Sequence, residues 1–448
     1  MTGTADNILE LLENALKQAR AAGADAADAI YAKGVSLSLA RRLGKPEQLN
    51  RAEGADLGLR VFAGARQAIV STSDTSPKAI RELAERAIAM ARAVPEDPYC
   101  GLADPDLLVR DIPDLDMCDD REPTAEALIA SAGAAEDAAR AVKGVTNSEG
   151  AEANWSRSSV ALAATNGFAR TYANSRWGLS VSVLAGEGTA MERDYDFTGA
   201  VHAEDLRAPA EVGRKAGEQA VRRLNPRRVS SGKLPVVLDP RVSRGILGHL
   251  AGAISGPAVA RGTTFLKDKL GRKIFSENIT IVDDPLRRRG LRSKPFDAEG
   301  VATRRHNVVE KGVLTMWILD LRSARQLGLA TTGHASRGTS SPPSPSTTNL
   351  YLEPGRMTPK ELMADIKAGL YITELIGFGV NGITGDYSRG ASGFWIENGE
   401  IAYPVSELTI AGNLKDMFLN MTAADDLTFR YGTDAPTLRI EGLTIAGQ

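Results

Sequence analysis

The chain has 448 residues, a formal net charge of −2, 43% hydrophobic residues and 25% charged residues. This is an ordinary globular composition, long enough for more than one hydrophobic core. The near-neutral charge gives no reason to expect nucleic acid or an acidic membrane surface as a partner. Two cysteines, Cys100 and Cys118, do not suggest a disulfide framework, so a reducing, cytoplasmic compartment is expected. Neither a signal peptide nor a membrane-spanning run is predicted.

The first predicted unit is an α+β segment, residues 1–93. Apolar residues between 8 and 19 fall on one helical face, and the alternating pattern within 29–73 predicts antiparallel strands joined by glycine turns. A second helix is predicted over 77–93, because Ser76 and Pro77 are typical of a helix start.

Residues 94–123 contain five prolines and ten acidic residues with little periodicity, which predicts a linker over the surface. A second unit, residues 124–230, repeats the order of helix, strands and helix, which raises the hypothesis of a duplication. Two cysteines in the linker without nearby histidines do not indicate a metal site.

The third predicted unit is 231–448. After a strand at 234–240 and a helix at 242–254, its pattern is mainly that of strands, with helices expected only at 323–327 and 358–370. The fold class predicted is therefore α+β: helix and antiparallel-sheet layers followed by a mostly antiparallel β domain. The segment 332–348 has no periodicity and is predicted to be a mobile loop.

Residues 381–417 are rich in glycine, polar side chains and aromatics. Asn398-Gly399 lies between alternating runs and predicts a β-hairpin. Four residues between glycines are predicted to be presented on a loop, where binding or chemistry is common: Asp386, Tyr387, Ser388 and Arg389. The alternative is a β-rich core segment with well-formed turns.

Two motifs in this region lack the neighbouring residues or secondary structure that their usual functions require. Residues 377–382 match G-x-G-x-x-G, but a dinucleotide site needs a strand before the motif and a helix after it. Here the sequence predicts a helical stretch before it and a hairpin after it. Ser388 resembles the serine of a nucleophile elbow, but Asp386 stands where that motif needs glycine. A turn serine is the simpler interpretation.

The histidines do not form a zinc motif. None of the four is followed by glutamate, and His249 has no histidine or carboxylate three or four residues away on its predicted helix. A packed role is therefore favoured for His249, while His334, beside Gly333, is the more exposed candidate. Among the carboxylates, Asp386 and Glu407 are better candidates for a cleft than those flanking the hairpin turn.

The stretch 381–417 resembles the C-terminal signature of the TldD/PmbA family, also called modulators of DNA gyrase. Further segments agree, and the resemblance is strongest over 234–448: GHLAGAISG at 248–256, KPFDAEGVATRR at 294–305, SARQLGLATTGHA at 323–335 and the terminal TIAGQ. The TldD branch of the family carries H-E-x-x-x-H on a helix, with two zinc-binding histidines and a glutamate base. Here Leu250 follows His249, and the C-terminal zinc cysteine of that branch has no counterpart.

This departure matches the PmbA (TldE) branch. The resemblance implies a subunit without its own zinc, paired with a TldD-like subunit that holds zinc, in a cytosolic metalloprotease that degrades small or unfolded polypeptides and processes peptide precursors. Candidate chamber-facing residues are His334, Asp386, Tyr387, Ser388, Arg389, Glu407 and Asn413, while His249 marks the degenerate zinc helix. Two alternatives stay open: a metallopeptidase with an atypical site built from His249, His334 and Asp386, and a non-enzymatic regulatory protein. A homodimer of the isolated chain is also compatible with the sequence.

Overall fold

Residues 5–447 are described by a computed structural model of the chain. The N-terminal part contains one six-stranded antiparallel sheet in the order β3-β2-β1-β4-β5-β6. Its strands are β1 (Ala26–Arg42), β2 (Lys45–Ala63), β3 (Arg66–Thr72), β4 (Val145–Ala164), β5 (Ala169–Ala185) and β6 (Glu192–Ala200). Its helices are α1 (Ala5–Ala21), α2 (Pro77–Ala93), α3 (Ala125–Arg140) and α4 (Pro209–Arg222).

The two N-terminal units predicted from sequence share this one sheet. Strands β1 and β4 pair continuously from Asp28 opposite Ala164 to Arg41 opposite Ala151. The sheet has two apolar cores: α1 and α2 pack with β2 and β3 in one, α3 and α4 pack with β5 in the other, and β1 and β4 contribute residues to both. Helices α3 and α4 approach closely because Gly213 has no side chain; a Cβ there would lie 2.0 Å from the Ala135 carbonyl oxygen.

Residues 94–123 run between the N-terminal sheet and the C-terminal part. The Asn166 amide donates to the Ala103 carbonyl (2.9 Å), and Leu108 forms a β-bridge with Val301. From the C-terminal side, the Arg325 guanidinium donates to the Leu102 carbonyl (2.6 Å). This segment therefore joins the two parts of the molecule through hydrogen bonds to both.

The C-terminal part contains a six-stranded sheet (β16-β15-β14-β7-β19-β17), a five-stranded sheet (β10-β9-β8-β13-β18) and the pair β11-β12. The strands are β7 (Gly232–Leu238), β8 (Ile281–Asp283), β9 (His306–Glu310), β10 (Val313–Leu314), β11 (Ala335–Ser336), β12 (Ser344–Pro345), β13 (Leu350–Leu352), β14 (Ala368–Val380), β15 (Asp386–Glu397), β16 (Glu400–Asn413), β17 (Met421–Ala423), β18 (Thr433–Asp434) and β19 (Leu438–Ala446). The helices are α5 (Pro240–Ala253), α6 (Gly256–Ala260), α7 (Leu321–Leu327), α8 (Pro359–Met363) and α9 (Leu414–Leu419). The predicted α+β class with mainly antiparallel sheets is confirmed; the parallel pairs are β7–β14 and β13–β18.

Helix α5 is central to this part. It contacts β7 and β14 of one sheet and β13 and β18 of the other. Its apolar residues Ile246, Leu247 and Leu250 are almost fully buried in the largest core cluster. The site described below lies along the edge of this helix that the two sheets leave uncovered.

Some predictions of local secondary structure are confirmed and others are wrong. The Asn398-Gly399 hairpin is confirmed: it joins β15 to β16, with φ angles of 49° and 84°. The helix predicted over 358–370 is wrong beyond Met363, because the following apolar stretch pairs with β7 and β15 as β14. The G-x-G-x-x-G motif at 377–382 therefore begins inside strand β14 rather than after a helix. It still fails as a dinucleotide site, because the strand β15 rather than a helix comes after it.

The segment 332–348, predicted to be a mobile loop, is irregular over most of its length but packs against other parts of the chain. The segment contains the paired strands β11 and β12, and Arg337 forms an ion pair (2.6 Å) with buried Asp28 of the N-terminal sheet. Gly58 allows the Thr339 backbone to lie directly against that sheet, since a Cβ at Gly58 would be 2.0 Å from the Thr339 carbonyl oxygen. Within residues 5–447 no helix is long and apolar enough to cross a membrane.

Candidate functional site

A cleft of about 410 Å³ lies between the N-terminal sheet and helix α5. We call it the α5 cleft. Strand β6 and the end of α4 form one wall, and α5, β14 and β15 form the other. Its volume falls in the range of small-molecule and peptide-side-chain pockets.

Helix α5 contributes one stripe of residues. Asp239 caps its first turn by accepting a hydrogen bond from the Arg241 N–H (2.9 Å), and Pro240 occupies the first helical position. Val242, Gly245, Ile246 and His249 border the cleft. Their spacing of three or four residues puts them on one helical face. A Cβ at Gly245 would meet no atom within 4 Å, so the space above the helix is open.

Strand β15 contributes Tyr387 and Arg389. Residues alternate between the two faces of a strand, so the four residues predicted on one loop divide into two pairs. Tyr387 and Arg389 border the α5 cleft, whereas Asp386 and Ser388 are exposed and do not line it. The prediction of a presented loop is thus wrong at this point: β15 begins at Asp386, paired with Asn413 of β16. Tyr387 is buried and packs edge-on against His249, with ring centroids 5.8 Å apart.

An ion-pair network closes the base of the cleft. Asp194 of β6, 3% exposed, accepts from the Arg241 guanidinium at 2.6 Å and lies 3.7 Å from that of Arg223. Arg223 also pairs with Glu374 of β14 at 2.6 Å. Burial opposes the charge on Arg241, but Asp194 and Asp239 outweigh it, so the pKa of Arg241 lies above its ordinary value. These pairs tie the N-terminal sheet to α5 and β14.

Two further cations border the cleft without a carboxylate partner among residues 5–447. Arg244 lies over the Tyr431 ring (4.1 Å from its guanidinium carbon to the centroid) and donates to the Arg241 carbonyl. Arg389 donates to the Ile376 carbonyl at 3.3 Å. Burial, and secondly the charge of Arg389, lower the pKa of His249 below its usual value. The cleft thus combines a neutral imidazole with excess positive charge, which suits an anionic group such as a carboxylate.

The same residues do not fit a zinc ion. Zinc sites use at least three histidine, cysteine or carboxylate ligands, whereas His249 is the one such side chain on the exposed stripe of α5, and its charged neighbour is Arg389. Across residues 5–447 no group of three or more histidine, cysteine, aspartate or glutamate side chains is placed to hold a metal ion. A dication beside Arg389 would also be electrostatically unfavourable.

Asp386 and Asn413 form a local turn network instead. The Asn413 amide donates to Asp386 (3.0 Å), the Thr384 hydroxyl donates to Asp386 (2.6 Å), and the Asn413 carbonyl oxygen accepts from the Lys415 N–H at the start of α9. The Thr384 and Asn413 hydrogen bonds hold the pKa of Asp386 below its usual value. Both side chains stabilise the turn between β14 and β15 and the start of α9.

His334 and Glu407 lie elsewhere. His334 was expected to be exposed but is 3% exposed, because its ring is held between Asp283 (3.1 Å) and the Thr332 hydroxyl (2.9 Å). Glu407, 63% exposed, has a positive φ of 55° and forms an ion pair with Arg228. His249, His334 and Asp386 therefore have three separate sets of partners, so they do not form the atypical metal site considered from sequence.

Sequence reasoning missed most of the cleft. Asp194, Arg223, Arg241, Arg244 and Glu374 come from four elements that are far apart in the chain. The one available signal was the spacing of Arg241, Arg244 and Gly245 before His249, which puts charged and small residues on the helical stripe that carries the histidine.

The chain is a two-part α+β protein with helix α5 between its C-terminal sheets and the α5 cleft along that helix. Three family models match it in succession: PmbA/TldA metallopeptidase domain 1 at 27–91, the central domain at 118–224 and the C-terminal domain at 231–447. The chain belongs to this PmbA/TldD metallopeptidase family.

Several relatives cover nearly the whole chain. Metalloprotease PmbA of Escherichia coli O157:H7 is 39% identical, over 95% of this chain and 93% of that protein. A Bacteroides thetaiotaomicron structure described as a modulator of DNA gyrase superimposes with a TM-score of 0.92, at 28% identity over 99% of this chain and 100% of that one. TldE of Thermococcus kodakarensis shares the fold (TM-score 0.86, 22% identity, 98% and 100% coverage). The family also includes a TldD homologue of Buchnera aphidicola, 26% identical over 60% of this chain and 61% of that protein.

Proposed function

We propose that this chain is the non-catalytic subunit of a heterodimeric zinc metallopeptidase whose zinc is held by a TldD-like partner. One observation carries the proposal. The family resemblance implies that α5 corresponds to the helix that supplies zinc ligands in the TldD branch, and α5 offers His249 alone, in a cleft that Arg244 and Arg389 also line. Its chemistry favours binding an anionic group over activating a metal-bound water.

An exposed apolar tip supports a partner subunit. At the end of the β14–β15 hairpin, Phe378 is 98% exposed and Ile376 and Ile383 are each 61% exposed. Contiguous apolar residues at the surface are typical of protein interaction sites. The family contains proteins named TldD and TldE, and we propose that the hairpin tip contributes to the contact between such subunits.

The substrates we propose are small or unfolded polypeptides, and the compartment is the cytoplasm, in keeping with two free cysteines. The α5 cleft would hold a carboxylate of the peptide, a side chain or the C-terminus, through Arg389 and Arg244. Charge-assisted hydrogen bonds to such a group contribute about 1.5–3 kcal/mol each. This chain would thereby position peptides that the partner cleaves.

Reconstitution tests the assignment. The chain and a TldD-like subunit are purified separately, their zinc is quantified by elemental analysis, and they are mixed for light scattering and peptide turnover. We expect zinc in the partner, little in this chain, a stable heteromer, and chelator-sensitive cleavage by the mixture. Stoichiometric zinc and chelator-sensitive cleavage by this chain alone would overturn the non-catalytic assignment. If no heteromer forms and partner activity is unchanged, the regulatory alternative replaces it.

Two variants localise the roles. Phe378→Ser removes the exposed aromatic without disturbing the subunit's core, and burying a phenylalanine contributes about 1.5–3 kcal/mol. We therefore expect the heteromer to weaken by about 10- to 150-fold. Arg389→Gln should leave assembly intact and lower turnover of acidic peptides more than of neutral ones, whereas the matched surface variant Arg81→Gln should change neither. Unchanged assembly in the first and unchanged peptide preference in the second would contradict these roles.

A further inference from the structure

A second cleft, of about 390 Å³, also lies between the N-terminal sheet and the C-terminal part. We call it the Arg292 cleft. Strands β4 and β5 form one wall; residues 290–294 and the neighbourhood of β11 and β12 form the other. It shares no lining residue with the α5 cleft. The family assignment gives it no role.

Three cations line this cleft, and none forms an ion pair with a carboxylate among residues 5–447. The Lys294 ammonium donates to the Ser336 hydroxyl (3.0 Å), and Arg176 donates to the Leu291 carbonyl (2.9 Å). Arg292 donates to the Thr347 carbonyl (2.9 Å) and more weakly to two hydroxyls. A lysine has three N–H donors and an arginine five, so each cation keeps donors for a ligand.

The cations are close enough to repel one another. Burial is the main cause that lowers the pKa of Lys294, and the positive charge of Arg292 lowers it further. Burial likewise lowers the pKa of Arg292, and the positive charge of Arg176 lowers it further. Charged groups without partners in a partly buried site are unfavourable unless a counter-charge binds. The arrangement therefore has a free-energy cost that an anion would relieve.

The nearest buried carboxylates are already occupied. Asp283 accepts from the Thr348 N–H (2.7 Å), the Thr348 hydroxyl (2.6 Å) and His334. Asp297 accepts backbone N–H bonds from Glu299, Val301 and Ala335. Both attract Lys294, and Asp283 also attracts Arg292, but neither carboxylate forms an ion pair with these cations.

A neutral donor completes the site. The ring of Tyr172 lines the cleft and packs edge-on against Phe296, with centroids 5.3 Å apart. Its hydroxyl has no hydrogen-bond partner among the described residues, and burial raises the pKa of Tyr172 to about 12, so it is a donor at neutral pH. Six hydroxyl side chains also line the cleft: Ser156, Ser175, Ser293, Ser336, Ser346 and Thr347.

We propose that the Arg292 cleft is a binding site for a phosphate group, held by Arg176, Arg292, Lys294 and the Tyr172 hydroxyl. Three convergent cations exceed what a single carboxylate needs, whereas a phosphate monoester carries close to two negative charges near neutral pH and three strong acceptor oxygens. The volume leaves room beyond the phosphate, which favours a small phosphate monoester over free phosphate. Binding is a property of this chain alone and does not depend on the proposed peptidase assembly.

Isothermal titration of the full chain tests the site. The probes are phenyl phosphate, inorganic phosphate and acetate, each at the same ionic strength. We expect both phosphates to bind and acetate not to bind. Tighter binding of phenyl phosphate identifies a monoester site, and equal binding identifies inorganic phosphate as the ligand. Absence of phosphate binding at millimolar concentration, or equal binding of acetate, would overturn the proposal.

Variants assign the contacts. Arg292→Gln and Lys294→Gln each remove a charged donor and should weaken phosphate binding by about 10-fold or more. Tyr172→Phe keeps the charge and the packing and should weaken it by about two- to tenfold. Arg81→Gln, on the exposed face of α2, is the matched control and should have no effect. Near-ultraviolet circular dichroism confirms that each variant is folded, and unchanged affinity in all three cleft variants would refute the site.

Discussion

Asp194→Ala probes the ion pairs that join the N-terminal sheet to helix α5. Asp194 is almost fully buried, accepts hydrogen bonds from the Arg241 guanidinium (2.6 Å) and the Tyr195 N–H (2.7 Å), and lies 3.7 Å from Arg223. The substitution leaves Arg241 buried with only Asp239 at 3.5 Å. Breaking a buried ion pair costs about 3–5 kcal/mol. Because Arg223 still forms an ion pair with Glu374, we expect the free energy of unfolding to fall by an amount near the lower end of this range, about 3 kcal/mol.

The assay is urea unfolding followed by tryptophan fluorescence, which reports on Trp155 and Trp177 in the N-terminal part and Trp317 and Trp395 in the C-terminal part. We expect a lower midpoint at an unchanged slope, the signature of lost stability without a change in exposed surface. Asp425→Ala, at an exposed position, is the matched control, and its free energy of unfolding should stay within about 0.5 kcal/mol of that of the parent chain.

The double variant Asp194→Ala with Arg241→Met separates the pair from its surroundings. Replacing a buried pair by apolar residues is often neutral or stabilising, so the double variant should be more stable than Asp194→Ala alone. A loss below about 1 kcal/mol for Asp194→Ala, or strict additivity of Asp194→Ala and Arg241→Met, would refute the argument that the pair holds the junction together.

Three further results are expected. Burial, and secondly the charge of His334, lower the pKa of His306 to about 4. In a nuclear magnetic resonance titration, the His306 imidazole should therefore change protonation near pH 4. A midpoint near pH 6.5 would contradict the buried position of this side chain. Burial, and secondly the charge of Asp297, raise the pKa of Glu299 above its ordinary value, so the native form binds more protons than the unfolded chain as pH rises above the unfolded pKa. Stability should therefore fall as pH rises through that range, and Glu299→Gln should flatten the slope measured by urea unfolding at several pH values. Gly399→Ala forces a φ of 84° on a residue with a Cβ and should cost about 1–3 kcal/mol, whereas Gly382→Ala, in open space, should cost far less.

The candidate site could be predicted only in part. Sequence alone put His249 on a helix and placed Tyr387 and Arg389 in the same short stretch. It could not show that Tyr387 and Arg389 share a face that Asp386 and Ser388 do not, because this requires β15 to start at Asp386, which depends on pairing with β14 and β16. A loop and a strand end look alike where glycines interrupt the alternation.

The burial of His334 is a second feature that the sequence alone could not predict. A histidine beside glycine in an aperiodic polar segment is expected to be exposed. Here the polar residues of that segment have partners from distant elements: Asp283 for His334 and Asp28 for Arg337. Such partners satisfy hydrogen bonds that would otherwise require water, and their identity cannot be inferred from local sequence.

The sequence by itself determined the features that depend on local chemistry. These are the helices with a regular apolar period, the alternating strands, the Asn398-Gly399 turn that needs two positive φ angles, and a helix around His249 without the glutamate and second histidine of a zinc motif. Tertiary structure decided the rest. Strands β1 and β4 are separated by more than a hundred residues in the chain, and their pairing merges two predicted units into one sheet. The charged residues that line each of the two clefts come from separate elements of the chain. The physical reason is that pairing register, burial and charge balance depend on the free energy of the whole packed chain, not on any one segment.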